Sequence, residues 1–181
     1  TVNAINKAVK YAREFVQEAS LVQKEEIPLS ELFIGLECGG SDATSGLAAN
    51  PVVGKVSDLV VDNGGSAVMS ETTEFIGAEH ILAKRAATPE IKKQIIGICK
   101  NLEEHLANVN QNLRTGQPTP GNKEGGISTI EEKSLGCIYK GGTRPIVEVL
   151  DYAQMPTKKG ALIMDTPGFD VASVTAMVAG G

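Results

Sequence analysis

Leu32-Phe33-Ile34-Gly35-Leu36 runs into Glu37-Cys38-Gly39-Gly40-Ser41-Asp42, a short apolar stretch that ends in a polar, glycine-rich loop. A continuous apolar run of this length, bounded by turn residues, reads as a strand buried on both faces, as in a parallel sheet. The pattern recurs twice. Ala67-Val68-Met69 leads into Ser70-Glu71-Thr72-Thr73-Glu74, and Leu162-Ile163-Met164 leads into Asp165-Thr166-Pro167-Gly168. Pro145 to Leu150 fits either a strand or a helix. Helical stripes lie between these runs. Ile5, Ala8, Val9, Ala12, Phe15, Val16 and Ala19 share one face over residues 3–19. Asn50-Pro51 reads as a cap followed by Pro at the first helical position, and its helix ends at Gly64-Gly65. Ser70 to Glu74 opens a helix running to Ala87. Thr88-Pro89 starts another, with the stripe Ile91, Ile95, Cys99, Leu102, Leu106, Val109 and Leu113. Ser128-x-x-Glu131 reads as a capping box, and Val171 to Ala179 as a last helix. Strands alternating with helices predict an α/β fold: a layered, Rossmann-like domain with a mostly parallel sheet near 32–36, 66–70 and 161–166, and helices on both faces.

Composition agrees. The chain has 181 residues, 41% of them hydrophobic and 22% charged, which suits one globular α/β domain over 1–181 and excludes a disordered chain. A net charge of −5 argues against a nucleic-acid or membrane surface. No apolar run approaches the ~20 residues of a membrane helix. Three cysteines, at 38, 99 and 137, do not make a disulfide framework, so a reduced, cytoplasmic chain is expected. The chain begins at Thr1 inside a helical pattern. It stops at Gly180-Gly181, which reads as a helix cap leading toward a strand. Both ends predict a fragment of a longer protein.

The three polar loops all leave the carboxyl ends of predicted strands, the edge where open α/β sheets bind ligands. They carry Glu37, Cys38, Ser41, Asp42, Glu71, Thr72, Glu74, Asp165 and Thr166. Carboxylates with one thiol suit a first-row divalent metal, and the proposed ligands are Glu37, Cys38, Asp42, Glu71 and Glu74. Each residue also has a structural reading. Ser41 and Asp42 can cap a helix, Glu71 and Glu74 suit a first helical turn, and Cys38 can be a small buried hydrophobe. Gly121-Asn122-Lys123-Glu124-Gly125-Gly126 offers backbone amides and one cation to an anion; its glycines can equally be turn residues. His80, in Gly77-Ala78-Glu79-His80, is the candidate base, with Lys123 second. Ser41, Thr72, Gly121, Asn122, Gly125, Gly126, Asp165 and Thr166 are candidate substrate contacts. No G-x-x-x-x-G-K-[ST], G-x-G-x-x-G, C-x-x-C or H-E-x-x-H occurs, which sets aside P-loop, dinucleotide-binding and common zinc readings.

Eight ordered motifs resemble the altronate/galactarate dehydratase family of sugar-acid dehydratases, which includes the sulfolactate sulfo-lyase large subunit. They are Glu37 to Asp42, Asn50-Pro51, Gly65 to Thr72, Gly77 to His80, Pro120 to Gly126, Glu132 to Gly136, Lys140 to Gly142 and Met164 to Gly168. The lead Thr115-Gly116-Gln117-Pro118-Thr119 departs from the Asn-Pro-rich lead common in the family. The resemblance implies a lyase acting on an anionic sugar acid such as altronate or galactarate. A divalent metal, Fe2+ by family precedent with Mn2+ or Mg2+ as alternatives, would grip the C1 carboxylate and C2 hydroxyl. A base would take the C2 proton, the C3 hydroxyl would leave as water, and a 2-keto-3-deoxy acid would result. Family members are longer at both ends, so the resemblance also implies further domains as partners and little activity in the isolated piece; a homo-oligomer is a further option. A sulfo-lyase acting on sulfolactate and a non-catalytic anion-binding domain are the alternatives.

Overall fold

A computed structural model describes residues 1–181. Four strands, β1 (Phe33–Leu36), β2 (Ser66–Met69), β3 (Ile146–Leu150) and β4 (Ala161–Met164), form one all-parallel sheet in the order β1-β2-β4-β3. The apolar runs are strands, as expected, and the ambiguous stretch from Pro145 to Leu150 contains one too; β1, however, is not buried on both faces but lies at the sheet edge with Phe33 and Gly35 exposed. Central strands β2 and β4 are buried at every residue, which is why they lack an alternating pattern.

The helices are α1 (Val2–Ser20), α2 (Asn50–Asp62), α3 (Glu79–Leu82), α4 (Pro89–Asn108), α5 (Leu113–Gly116), α6 (Pro120–Glu124), α7 (Ile130–Cys137) and α8 (Asp170–Ala179). They cover both faces, unevenly. On one face Leu36, Ala67, Met69, Ile146 and Ile163 pack with Ile91, Ile95 and Cys99 of α4 and with Phe75, Ile76 and Leu82. On the other, Val68, Leu150, Leu162 and Met164 pack with Ala176 of α8. A register irregularity between Ile146 and Glu148 turns β3 over, so its two ends serve different cores. No residue of α1 is buried; its apolar stripe stands clear of the sheet. No helix is long and apolar enough to cross a membrane.

Three local expectations are corrected. Residues 70–87 are not one helix. Glu71 has φ +66°, in the left-handed region, and only separate turns (Thr72–Glu74, α3, Ala83–Arg85) follow. Asn50 is not a cap. A wide helical turn, Ser45–Ala49, runs straight into α2, and Asn50 Nδ2 donates to Gly136 O at 3.0 Å. The cap of α7 is Thr129, whose hydroxyl accepts from Glu132 N, while Ser128 N donates back to Glu132 Oε2 at 2.8 Å. The cap is therefore one residue later than the spacing suggested, and it is not a reciprocal box.

Candidate functional site

The ends of β1, β2 and β4 sit side by side, and that fixes the site. Backbone hydrogen bonds of the loop after β2 go to the loop after β4: Glu71 N donates to Thr166 Oγ1 (2.7 Å) and Thr72 N to Thr166 O (3.0 Å). Thr72 Oγ1 donates to Asp165 Oδ1 at 2.6 Å. Thr72, Asp165 and Thr166 thus hold the left-handed turn at Glu71. Such a conformation costs a non-glycine residue ~1 kcal/mol or more, and persists where the surroundings enforce it.

That turn aims Glu71 into the protein, where it is only 3% exposed. Its Oε2 accepts from Cys38 N at 2.7 Å, tying β2 to the loop after β1. Ser70 Oγ bridges Leu36 O and Glu37 Oε2 at the same edge. Two groups result. Cys38, Glu71 and Glu74 place a ligand atom each within 4.8 Å of one another, and so do Glu37, Glu71 and Asp170. Glu37, Cys38, Glu71 and Glu74 therefore meet as the sequence suggested. Asp42 does not join them. It is exposed, and its Oδ1 accepts from Thr44 N (2.8 Å) and Ser45 N (3.0 Å), so it caps the turn that begins there.

Cations from α7 and the turn after it complete the cluster. Lys133 Nζ lies 3.1 Å from Glu74 Oε1, and the buried Lys140 Nζ lies 3.5 Å from both Glu71 Oε2 and Glu74 Oε2. Those last two distances are ion pairs without hydrogen-bond geometry; Lys140 Nζ has no hydrogen-bond partner. Cys137 Sγ donates to Glu74 Oε2 at 2.6 Å. Burial pushes the Glu74 carboxyl up, but Lys140 and Lys133 outweigh it and hold it below the usual value. Glu71 goes the other way. Burial, then the Glu74 charge, push it up to about 7 despite Lys140. Burial likewise raises Glu37, whose Oε1 is buried without a partner, and raises both the Cys38 and Cys137 thiols. Both thiols are therefore neutral near pH 7.

The other sequence candidates fall elsewhere. His80 is exposed on α3 and makes no side-chain hydrogen bond, and it belongs to neither acidic group. Lys123 is exposed in the last turn of α6. Gly121 to Gly126 is no open anion loop. Most of it is α6, closed by a reciprocal Thr119–Asn122 cap. Asn122 Nδ2 donates to Ser41 O and Ala43 N to Gly125 O, which clips α6 to the loop after β1. A Cβ on Gly125 would stand 2.9 Å from Asp42 Cβ, so this glycine answers to close packing. Ser41 stays at the cluster, its Oγ 3.3 Å from Cys38 Sγ. Lys133, Cys137, Lys140 and Asp170 were not among the sequence candidates. Lys133 and Lys140 do lie in two of the quoted motifs, and Asp170 looks like an ordinary first-turn acid of α8.

Glu71 sets a pH dependence for the metal-free chain. A carboxyl raised on folding contributes stability below its unfolded value, near ~4.3, that is lost as pH rises toward the folded value. The melting temperature in chelator is expected to fall between pH 5 and 7.5, and Glu71→Gln is expected to flatten that slope. Equal slopes in thermal melts of both proteins would contradict it.

This arrangement can be set beside known proteins. The family described as D-galactarate/altronate dehydratase, C-terminal, matches residues 29–181. The chain belongs to that family. It is 42% identical over 173 residues to altronate dehydratase of Bacillus subtilis (strain 168), covering 96% of this chain and 35% of that protein. It is 41% identical over 177 residues to galactarate dehydratase (L-threo-forming) of Escherichia coli K12, covering 98% of this chain and 34% of that one. It is 41% identical over 181 residues to the (2R)-sulfolactate sulfo-lyase subunit beta of Chromohalobacter salexigens, covering 99% of this chain and 46% of that subunit. The chain thus spans between about a third and a half of these relatives. The family match begins beyond α1, at the connector that leads into β1.

Proposed function

We propose that this chain supplies part of the active site of a metal-dependent lyase that dehydrates an altronate- or galactarate-type sugar acid to a 2-keto-3-deoxy acid. One observation carries the reading: three carboxylates, of Glu37, Glu71 and Asp170, converge within 4.8 Å, only Glu71 of the three is paired with a cation, and Glu37 Oε1 is buried and unpartnered. Three convergent carboxylates that share a single ammonium, Lys140 on Glu71, still carry excess negative charge and repel one another. An oxygen-binding divalent cation of the Fe2+, Mn2+ or Mg2+ class resolves that, and these ligands suit it. When bound, such an ion polarises the acid's carboxylate and adjacent hydroxyl and so eases loss of the C2 proton.

The chain's own residues do the rest. Glu37, Glu71 and Asp170 hold the cation. Ser70 orients Glu37, and Cys38 N orients Glu71. Thr72, Asp165 and Thr166, proposed as substrate contacts, instead brace the turn that presents Glu71. Neither His80 nor Lys123 is retained as the proton-transferring base, since each stands exposed and outside the cluster.

The second reading, loss of sulfite from sulfolactate, is supported by the 41% identity to the sulfo-lyase subunit. The full-length polypeptide, loaded with Fe2+ and assayed on altronate, galactarate and sulfolactate, separates the two readings. Glu37→Gln is expected to lose bound metal and at least ~100-fold in turnover, in keeping with several kcal/mol of transition-state stabilisation supplied by a Lewis-acid metal. The 181-residue chain alone is expected to turn over little of any of the three. A Glu37→Gln enzyme with normal metal content and rate would refute the assignment.

A further inference from the structure

The two acidic groups share Glu71 but differ in one respect. Both carboxylates of the Cys38–Glu71–Glu74 group are paired with one buried cation, whereas in the other group only the shared Glu71 is. Lys140 is 4% exposed, and its Nζ sits 3.5 Å from Glu71 Oε2 and from Glu74 Oε2 without a hydrogen bond to either. A lysine is rarely buried this deeply unless it is paired, and its Nζ is shielded from solvent. Its position is enforced from behind. Ser57 Oγ of α2 donates to Lys140 O at 2.8 Å, and Gly141 packs so closely on β2 that a Cβ there would meet Met69 Sδ. These contacts fix the backbone from which the ammonium reaches the two carboxylates.

We propose that Lys140 is a positioning residue that occupies, with its own charge, the place a metal would take among Cys38, Glu71 and Glu74. It thereby directs a divalent cation to Glu37, Glu71 and Asp170. Lys140 and Cys38 N both engage Glu71 through Oε2. Oε1 makes neither of these contacts. The thiol of Cys38 is kept off the metal, so the cation is held by oxygen alone. The inference builds on the metal reading above, but its test is separable from it.

Co2+ is the probe, because a thiolate on cobalt gives a near-ultraviolet charge-transfer band that oxygen ligands do not. Titrated with Co2+, the 181-residue chain is expected to show no such band. In Lys140→Met the empty place between Glu71 and Glu74 accepts Co2+. Cys38 then releases its thiol proton to the buffer and ligates, and the band rises to one Co2+ per chain. It is expected to vanish again in Lys140→Met with Cys38→Ser, and to stay absent in Lys140→Arg, which keeps the charge. Lys140→Gln serves if the methionine variant does not fold. A band in the unsubstituted chain overturns the proposal without any variant, and so does a folded Lys140→Met or Lys140→Gln that binds no Co2+ through sulfur. Mn2+ binding, followed by electron paramagnetic resonance, reads the other site. It is expected to weaken at least tenfold in Glu37→Gln. If the unsubstituted chain binds no Mn2+, the metal-dependent reading fails while the cobalt result on Lys140 stands by itself.

Discussion

Glu74→Ala is expected to cost about 3–5 kcal/mol of folding stability, the range for removing one partner of a buried ion pair. Glu74 answers two lysines, Lys133 at 3.1 Å and Lys140 at 3.5 Å, and accepts the Cys137 thiol. Without it, Lys140 keeps only Glu71, itself biased toward the neutral acid. A charge that deep with half its counter-charge gone is the expensive outcome, more than the loss of any single contact. Total stability of a domain this size is about 5–15 kcal/mol, so the variant should be largely unfolded in modest urea. Coupling identifies the cause. Combining Glu74→Gln with Lys140→Met removes both charges and should recover much of what Glu74→Gln alone loses. Urea denaturation of the single and double variants measures it; additive losses would mean that the pair is not what matters.

Gly54→Ala is expected to be comparably severe for a steric reason. A Cβ on Gly54 would lie within 2.1 Å of Tyr139 O, and 3.1 and 3.2 Å from Gly142 N and Cα. The obstruction is backbone on the short turn Ile138–Gly141, so no rotamer relieves it. Asp58, one helical turn along α2, also grips that region, accepting from Thr143 N (2.7 Å) and Arg144 N (3.2 Å). Forcing α2 off this turn should cost about 3 kcal/mol or more and move Lys140 with it. Gly97→Ala is the control. It sits in α4 with nothing within 4 Å of a Cβ, and alanine there should stabilise by ~0.5–1 kcal/mol. Thermal melts that rank the two variants alike would refute the close-approach account.

The strands were legible because β2 and β4 are buried on both faces, and full burial leaves an uninterrupted apolar run. The gathering of Glu37, Cys38, Glu71 and Glu74 was legible for a related reason: parallel neighbours bring their loops to one edge. What failed were features whose composition mimics something commoner. Ser70-Glu71-Thr72-Thr73-Glu74 has the look of a helical first turn, yet Thr166 pulls Glu71 into a left-handed turn through bonds made 95 residues away. Asp42 has the composition of a ligand and the geometry of a cap. Gly125 suggested an anion loop, and close packing against Asp42 is what it serves. Lys140 was invisible because nothing local marks a lysine for burial; only the acids that surround it do, and they come from another part of the chain.

The strand order has a consequence for how the domain comes into being. β4 pairs with β2 on one side and β3 on the other, so β3 has no neighbour until β4 arrives between them. Glu71 waits for Thr166, and Glu74 waits for Cys137, 63 residues along. Contacts this distant in sequence form slowly, because the intervening loop must close before they return any free energy. As the polypeptide emerges from its N-terminal side, every acid of the cluster except Asp170 is made before β4. Pairing of β1 with β2 can bring Glu37 beside Glu71 early, but the turn that presents Glu71 and the arrival of Asp170 wait for β4, so a completed cluster is itself the sign that the last strand has gone in.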